Sequence, residues 1–254
     1  MPIKEIFKSI HQGKIWKLYY DKYSDYLLLE ERNEECREAH FYCYDINSFA
    51  GKEIHVYQEE DWWLGVHDFQ YGVAIFHLYQ DGIEPIPQGV LAMDVVTEDV
   101  LFRRDEVKFD VLEENKLFFF EGEHHEKKEV SLMEWDLYQE RVSVSREVLS
   151  PLYYTEESTH YQTFTSFLKK LSGIEPTGGI EYLEYGERIF LSFNSMVEKK
   201  IQNMLFIIKD NGDIEQEIIL NGESNGIGMG TFFLLDHRLW FVQDTHQLNV
   251  FSLV

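Results

Sequence analysis

The sequence predicts an all-β fold of the β-propeller-like kind, with five blades of antiparallel strands and a short helical insertion. Three observations carry this. A strand–turn–strand unit with an aspartate near its turn returns along the chain, as Phe41-Tyr42-Cys43-Tyr44-Asp45, Val90-Leu91-Ala92-Met93-Asp94, Leu132-Met133-Glu134-Trp135-Asp136 and Leu205-Phe206-Ile207-Ile208-Lys209-Asp210. The first three aspartates lie roughly 40–50 residues apart, the period of propeller blades. The second strand of each unit is a continuous apolar run, in Tyr26–Leu29, Val73–Phe76, Leu117–Phe120, Ile189–Leu191 and Leu239–Phe241. Such runs suit strands buried on both faces, as middle strands of a blade are. Aromatic residues make up 15% of the chain, with 19 Phe and 15 Tyr. They fit pleated, half-buried surfaces and so favour strands over helices.

Taken in order, Ile3, Ile6, Phe7 and Ile10 have helical spacing, and Gly13 follows as a stop. A short docking helix over residues 2–13 is the first expectation, and a strand joining the last blade is the alternative. The first unit then reads Ile15–Tyr20, Tyr26–Glu30, His40–Tyr44 and Glu53–Tyr57. The second reads Trp62–His67, Val73–Tyr79, Gly89–Met93 and Asp99–Arg103. The third reads Val107–Leu112, Lys116–Glu121, Val130–Trp135 and Arg141–Glu147. A fourth reads Ile180–Tyr185, Arg188–Phe193, Met204–Lys209 and Asp213–Leu220, with an Asn211-Gly212 hairpin signal inside it. The last reads Thr231–Leu235, Leu239–Gln243 and Leu248–Leu253, one strand short, so its closing strand must come from elsewhere. Between the third and fourth units lies an insertion at about 150–179. Phe164, Phe167, Leu168 and Leu171 make one apolar face there, and Gly173 closes it, which predicts a helix over a sheet face. The whole of residues 1–254 reads as a single propeller-like domain.

Composition narrows the function classes. A hydrophobic fraction of 44% supports a sizeable core and argues against disorder. The net charge is −23, from 46 acidic and 23 basic residues. That field repels phosphate backbones and anionic membrane surfaces, so neither nucleic acid nor membrane is an expected partner. Cys36 and Cys43 make no disulfide framework, and no apolar run reaches the roughly 18 residues of a membrane span. A cytoplasmic protein is the expectation.

The layout resembles the β-propeller superfamily, but it lacks the Gly-His and Trp-Asp pattern of WD40 repeats, of which Trp135-Asp136 is a single instance. In whole-chain character it also resembles an uncharacterised family of acidic proteins from the Bacteroidetes, a domain of unknown function of about this length. That resemblance implies a propeller-like fold and brings no activity and no catalytic residue with it.

Motifs for chemistry are scarce. The run Asn225-Gly226-Ile227-Gly228-Met229-Gly230 is followed by a strand pattern, whereas a dinucleotide fingerprint needs a helix there. Asp210-Asn211-Gly212-Asp213 lacks the spacing of a calcium loop. His124 and His125 are adjacent, and neighbouring strand residues face opposite sides. No zinc spacing occurs, so no metal or cofactor is expected. The candidate ligand platform is Trp62, Trp63, His67 and Asp68, because tryptophan offers an apolar face and a donor. Tyr182 and Tyr185 occupy the equivalent segment of the fourth unit. The competing reading places these residues in packing between blades, with His67 bonded to backbone. A non-catalytic binding or scaffold module for a protein or small molecule is the leading function. A hydrolase-type enzyme at the axial mouth, and a ligand sensor gated by 150–179, are the alternatives.

Overall fold

The computed structural model describes residues 3–56, 61–79, 87–122, 126–142, 145–224 and 230–254. His124 and His125, and Asn225–Met229 of the glycine-rich run, lie outside them. Contacts group the chain into two compact units, residues 11–146 and residues 1–10 with 147–254, and each is described by itself. The fold is all-β and propeller-like in its parts. Among the described residues the strands form five antiparallel sheets, and nearly every strand pairs with its sequence neighbour.

The chain opens on β1 (Lys4–Ile10), which belongs with the C-terminal sheets. In residues 11–146, β2 (Lys14–Tyr20), β3 (Tyr26–Asn33), β4 (Glu38–Asp45) and β5 (Gly51–Ile54) form the first meander. A 3-10 turn at Asp61–Trp63 leads into the second, made of β6 (Leu64–Gln70), β7 (Val73–Tyr79), β8 (Pro87–Asp94) and β9 (Val100–Asp105). The third has, among the described residues, β10 (Val107–Glu113), β11 (Lys116–Glu121) and β12 (Glu126–Ser131).

The second sheet explains why its middle strand is apolar throughout. Strand side chains alternate between faces. Ala74, Phe76, Leu91 and Met93 pack on Leu28, Phe41, Cys43 and Ile54 of the first sheet. Val73, Ile75, Val90 and Ala92 pack on Leu112, Leu117 and Phe119 of the third. Both faces are covered, so every residue from Val73 to Leu78 is buried, His77 included.

The fourth strand expected at Arg141–Glu147 is instead preceded and partly replaced by α1 (Trp135–Val142), a correction to the strand expected at Val130–Trp135 as well. Trp135, Tyr138 and Val142 have helical spacing, and Tyr138 is buried with its ring 5.1 Å from that of Tyr71. Arg141 of the same helix binds the Asp94 carboxylate and donates to the Tyr71 carbonyl at 2.6 Å. Side-chain contacts outweighed a weak strand pattern. The edge strand β12 carries charges of both signs, with Lys127–Asp110, Lys128–Glu126 and Lys116–Glu129 pairs, which guards it against pairing with another chain.

Two of the four recurring aspartates perform one structural task. Asp45 Oδ1 accepts from the backbone N–H groups of Asn47 and Ser48 at 2.9 and 2.7 Å. Asp94 Oδ1 accepts from those of Val96 and Thr97 at 2.9 and 3.2 Å. Each loop then turns through a residue with positive φ, Phe49 or Glu98. Asp210 sits in a different hairpin, where Asn211 accepts from Asp213, and Asp136 lies in the first turn of α1.

The other unit holds β13 (Val148–Leu149), β14 (Leu152–Tyr154), α2 (Thr159–Ser172), β15 (Pro176–Tyr185), β16 (Arg188–Val197), β17 (Lys200–Lys209), β18 (Ile214–Ser224), β19 (Phe232–Leu235), β20 (Arg238–Gln243) and β21 (Gln247–Ser252). One sheet runs β14-β15-β16-β17-β18 and the other β1-β21-β20-β19-β13. The N-terminal segment is therefore a strand and not the docking helix first expected. It supplies the partner for β21 that the short last unit required. Seven residues are too few to hold a helix unaided, and the open β21 edge offers a row of backbone partners. The cost is visible in Ile10, which is 74% exposed.

The insertion behaves as a cover. Ser158 caps α2 by accepting from the Tyr161 N–H, and Gly173 closes it with φ 77°. Phe164, Phe167, Leu168 and Leu171 lie on Ile180, Leu191, Phe193, Phe206 and Ile208 of the sheet. The opposite face, with Phe190, Leu205 and Ile207, packs on Phe232, Leu234 and Phe241 of the neighbouring sheet.

Asp45 and Asp94 make the same turn, but Asp94 is also the buried partner of Arg141. Asp45→Ala is expected to lower unfolding free energy by about 1–2 kcal/mol, and Asp94→Ala by about 3–5 kcal/mol because Arg141 is then left uncompensated. Urea denaturation of the two variants checks the order.

Candidate functional site

A pocket of about 690 Å³ opens in the unit of residues 11–146 and is formed by its first two sheets. Five aromatic side chains line it, from Trp16, Tyr19, Trp62, Trp63 and Tyr79, together with His67 and His77. Its charged lining is Glu30, Arg32 and Glu34.

Two β-bulges aim the first residues. In β2, Ile15 pairs with Glu31 and Lys17 with Glu30, so Trp16 is the extra residue. It turns outward and is 58% exposed. In β6, Val66 pairs with Phe76 and Asp68 with Ile75, so His67 is the extra residue. A bulge leaves one residue unpaired and bends its strand, which re-aims that side chain. The same device recurs in the first strand of the third sheet, between Phe109 and Val111.

Glu30 and Arg32 stand two residues apart on β3 and therefore share a face. Arg32 Nε donates to Glu30 Oε1 at 2.8 Å, and its terminal nitrogens donate to Glu30 and to the carbonyls of Trp62 and Leu64. Four of its five N–H donors are thereby engaged. The guanidinium also lies 5.5 Å from the Trp62 ring centroid. Arg32 thus pins the turn that presents both tryptophans. The Tyr19 hydroxyl lies 2.9 Å from both Glu30 Oε2 and the Val66 carbonyl. Burial, and then the Glu30 charge, push its pKa far above the ordinary tyrosine range.

Gly65 is buried opposite His77, and a Cβ there would lie 3.2 Å from the Tyr79 ring. A side chain at this position would crowd the pocket floor. His67 and His77 stand with ring centroids 4.2 Å apart, and His77 is only 6% exposed. Nε2 of His77 is buried and, among the described residues, has no hydrogen-bond partner. Burial lowers the pKa of both rings. For His77, burial and then the neighbouring His67 bring it to about 4, so it is neutral at pH 7. For His67, Lys17 adds to the lowering and Asp68 opposes it.

Of the residues anticipated from sequence, Trp62, Trp63 and His67 meet in this pocket. The tryptophans come from the 3-10 turn ahead of β6 and not from the strand itself. Both are half-buried, and Arg37 lies over the Trp63 ring at 5.6 Å. Asp68 is not in the lining. Its carboxylate accepts from the Phe69 N–H and the Gln70 side chain. Tyr182 and Tyr185 belong to the other unit, where Tyr182 packs on Phe164 of α2 and Tyr185 meets His237. Sequence reasoning missed Glu30, Arg32 and His77. The available signal was a charged or imidazole residue continuing an otherwise apolar strand, in Leu27-Leu28-Leu29-Glu30 and Val73-Ala74-Ile75-Phe76-His77. Among the described residues no cluster of three or more His, Cys, Asp and Glu side chains could hold a metal ion, and no helix is long and apolar enough to cross a membrane.

Residues 20–102 match a domain of unknown function (DUF4905). This stretch carries Glu30, Arg32, Trp62, Trp63, His67 and His77. No curated protein matches the chain. Among solved structures, TolB from Acinetobacter baumannii is similar at 12% identity and TM-score 0.30, over 94% of this chain and 55% of its own. The chain thus spans about half the length of that relative. Pyrococcus horikoshii acylaminoacyl peptidase aligns at 8% identity and TM-score 0.24, over 91% and 36%. An oligogalacturonate lyase in complex with manganese aligns at 9% identity and TM-score 0.26, over 99% and 96%. Likeness at this level carries no argument about activity.

Three outcomes are expected. Arg32→Met leaves Glu30 buried without its cation and lowers stability by about 3–5 kcal/mol in urea denaturation. Trp63→Ala costs only about 1–2 kcal/mol, because a half-buried ring gives up about half of what a core aromatic does. The third concerns pH. His77 binds a proton near 6.5 when unfolded and near 4 when folded, so the unfolded state holds more protons between these values. Stability falls as pH drops from 6.5 to 4, and His77→Phe flattens that fall in thermal melts.

Proposed function

We propose that this chain is a non-catalytic binding module whose ligand is a small organic molecule seated in the Trp62–Trp63 pocket. The observation that carries this reading is the division of labour in the lining. The buried carboxylate and guanidinium are spent on one another, while the open surface is aromatic. Glu30 is held by Arg32 and faces the Tyr19 hydroxyl, so it is poorly placed to move a proton or attack a substrate. Aromatic side chains with a few fixed polar groups are the usual lining of a ligand pocket, and the volume suits a small molecule. The reading includes a cytoplasmic setting, which the two unbridged thiols Cys36 and Cys43 support.

Ligand-detected NMR with a mixture of small aromatic, amide and sugar compounds tests it. Wild-type chain is expected to bind members of the mixture, and a Trp62→Ala, Trp63→Ala double variant to lose them. Equal binding by the variant would overturn the pocket assignment. Chemical conversion of a bound compound would favour the hydrolase reading instead.

A further inference from the structure

Resting on that reading, we infer that the ligand is a neutral saccharide, with a sugar ring stacked on the pocket tryptophans and a hydroxyl hydrogen-bonded to His77 Nε2. Charged ligands are poorly served. Among the charged lining, Arg32 is already paired with Glu30, and Glu34 adds a negative charge. Among the described residues an anionic ligand would find Arg32 committed to Glu30, and Lys14, Lys17 and Arg37 drawn onto ring faces, within a chain of net charge −23. A cationic ligand would normally be drawn to the ring faces. One face of each of four lining rings already holds one of the protein's own cations. Lys14 lies over Trp16 at 5.5 Å, Lys17 over Tyr19 at 4.5 Å, Arg32 over Trp62 and Arg37 over Trp63. An added cation would have to enter beside them and against their repulsion.

An uncharged ligand remains, and His77 specifies its polar group. A buried nitrogen without a partner is costly, and such groups in folded proteins call for an explanation. His77 is buried, lines the pocket and stacks on His67, with the Tyr79 ring 5.8 Å away. A neutral imidazole presents either an N–H or a lone pair at Nε2, according to tautomer. A hydroxyl satisfies both, since it donates and accepts. A carboxylate could meet only the N–H, and an ammonium only the lone pair. Saccharides combine such hydroxyls with an apolar C–H face, and the tryptophan faces can cover that face.

The test is titration of the full chain, followed by tryptophan fluorescence and calorimetry. The neutral probes are cellobiose, maltose, lactose and methyl mannoside. Glucuronate and glucosamine serve as charged probes of similar size, and indole as an aromatic probe without hydroxyls. At least one neutral sugar is expected to bind, and to bind at least tenfold more tightly than both charged sugars. His77→Phe, which keeps a ring of similar size, is expected to raise its Kd about tenfold, the worth of one hydrogen bond. In wild type the ring ¹⁵N resonance of His77 Nε2 should shift on sugar addition, a readout that stands if the variant fails to fold. Tighter binding of a charged sugar, or a His77 resonance that ignores the bound sugar, overturns the inference. Binding of indole without any sugar overturns it too, yet leaves the pocket as a binding site. Binding of no probe at all removes both readings.

Discussion

The constraint on which this structure depends is that its middle strands are apolar on both faces. A sheet with one oily face can lie against solvent on the other, but β7, β16 and β17 leave no such choice. Each must be covered twice. The second sheet is covered by the first and the third. The sheet of β14–β18 is covered on one face by β19–β21, and on the other by α2. The helix in the insertion is thus a substitute for a sheet, supplying Phe164, Phe167, Leu168 and Leu171 where a further blade-like surface would otherwise be needed. Helix α1 answers a related demand, by placing Tyr138 against Tyr71 and Arg141 against Asp94.

The same stacking produces the pocket. Two sheets pack through Phe41 and Phe76, and the pocket lies where the Tyr19 hydroxyl of one first strand reaches the Val66 carbonyl of the other. Bulges at Trp16 and His67 turn side chains out of register at that place. Glu30 and Arg32 continue the buried face of β3 and must be satisfied internally, because a lone charge at that depth would be prohibitive. They meet the requirement with each other and with backbone carbonyls of the Trp62–Leu64 turn. A structural need to neutralise two charges therefore also fixes the orientation of the aromatic wall. His77 is the exception to this internal satisfaction, and it lies on the pocket surface.

Much of the strand pattern was legible because apolar period and turn chemistry are local. The apolar runs, the Asn211-Gly212 hairpin and the amphipathic stretch closed by Gly173 each state their conformation within a few residues. The readings that failed were those in which two local patterns were nearly equal. The Ile3–Ile10 stripe fits a helix, yet β21 offered it a strand partner, and Arg141–Glu147 fits a strand, yet Arg141 had an aspartate to reach. In the site, Trp62, Trp63 and His67 stood out by composition. Asp68 belongs to the same segment, but the bulge at His67 turns its carboxylate to the Phe69 N–H.

By itself the sequence determined the all-β class, the order of the strands and the acidic, aromatic-rich character of the chain, since these follow from residue type and short-range period. Tertiary structure decided which residues share a pocket. Trp16, Glu30, Trp62 and His77 lie on four separate segments, and only the pairing register and two one-residue bulges bring them together. A shift of one residue in a strand reverses every side chain on it. Register is settled by the packed neighbours, which no single segment contains.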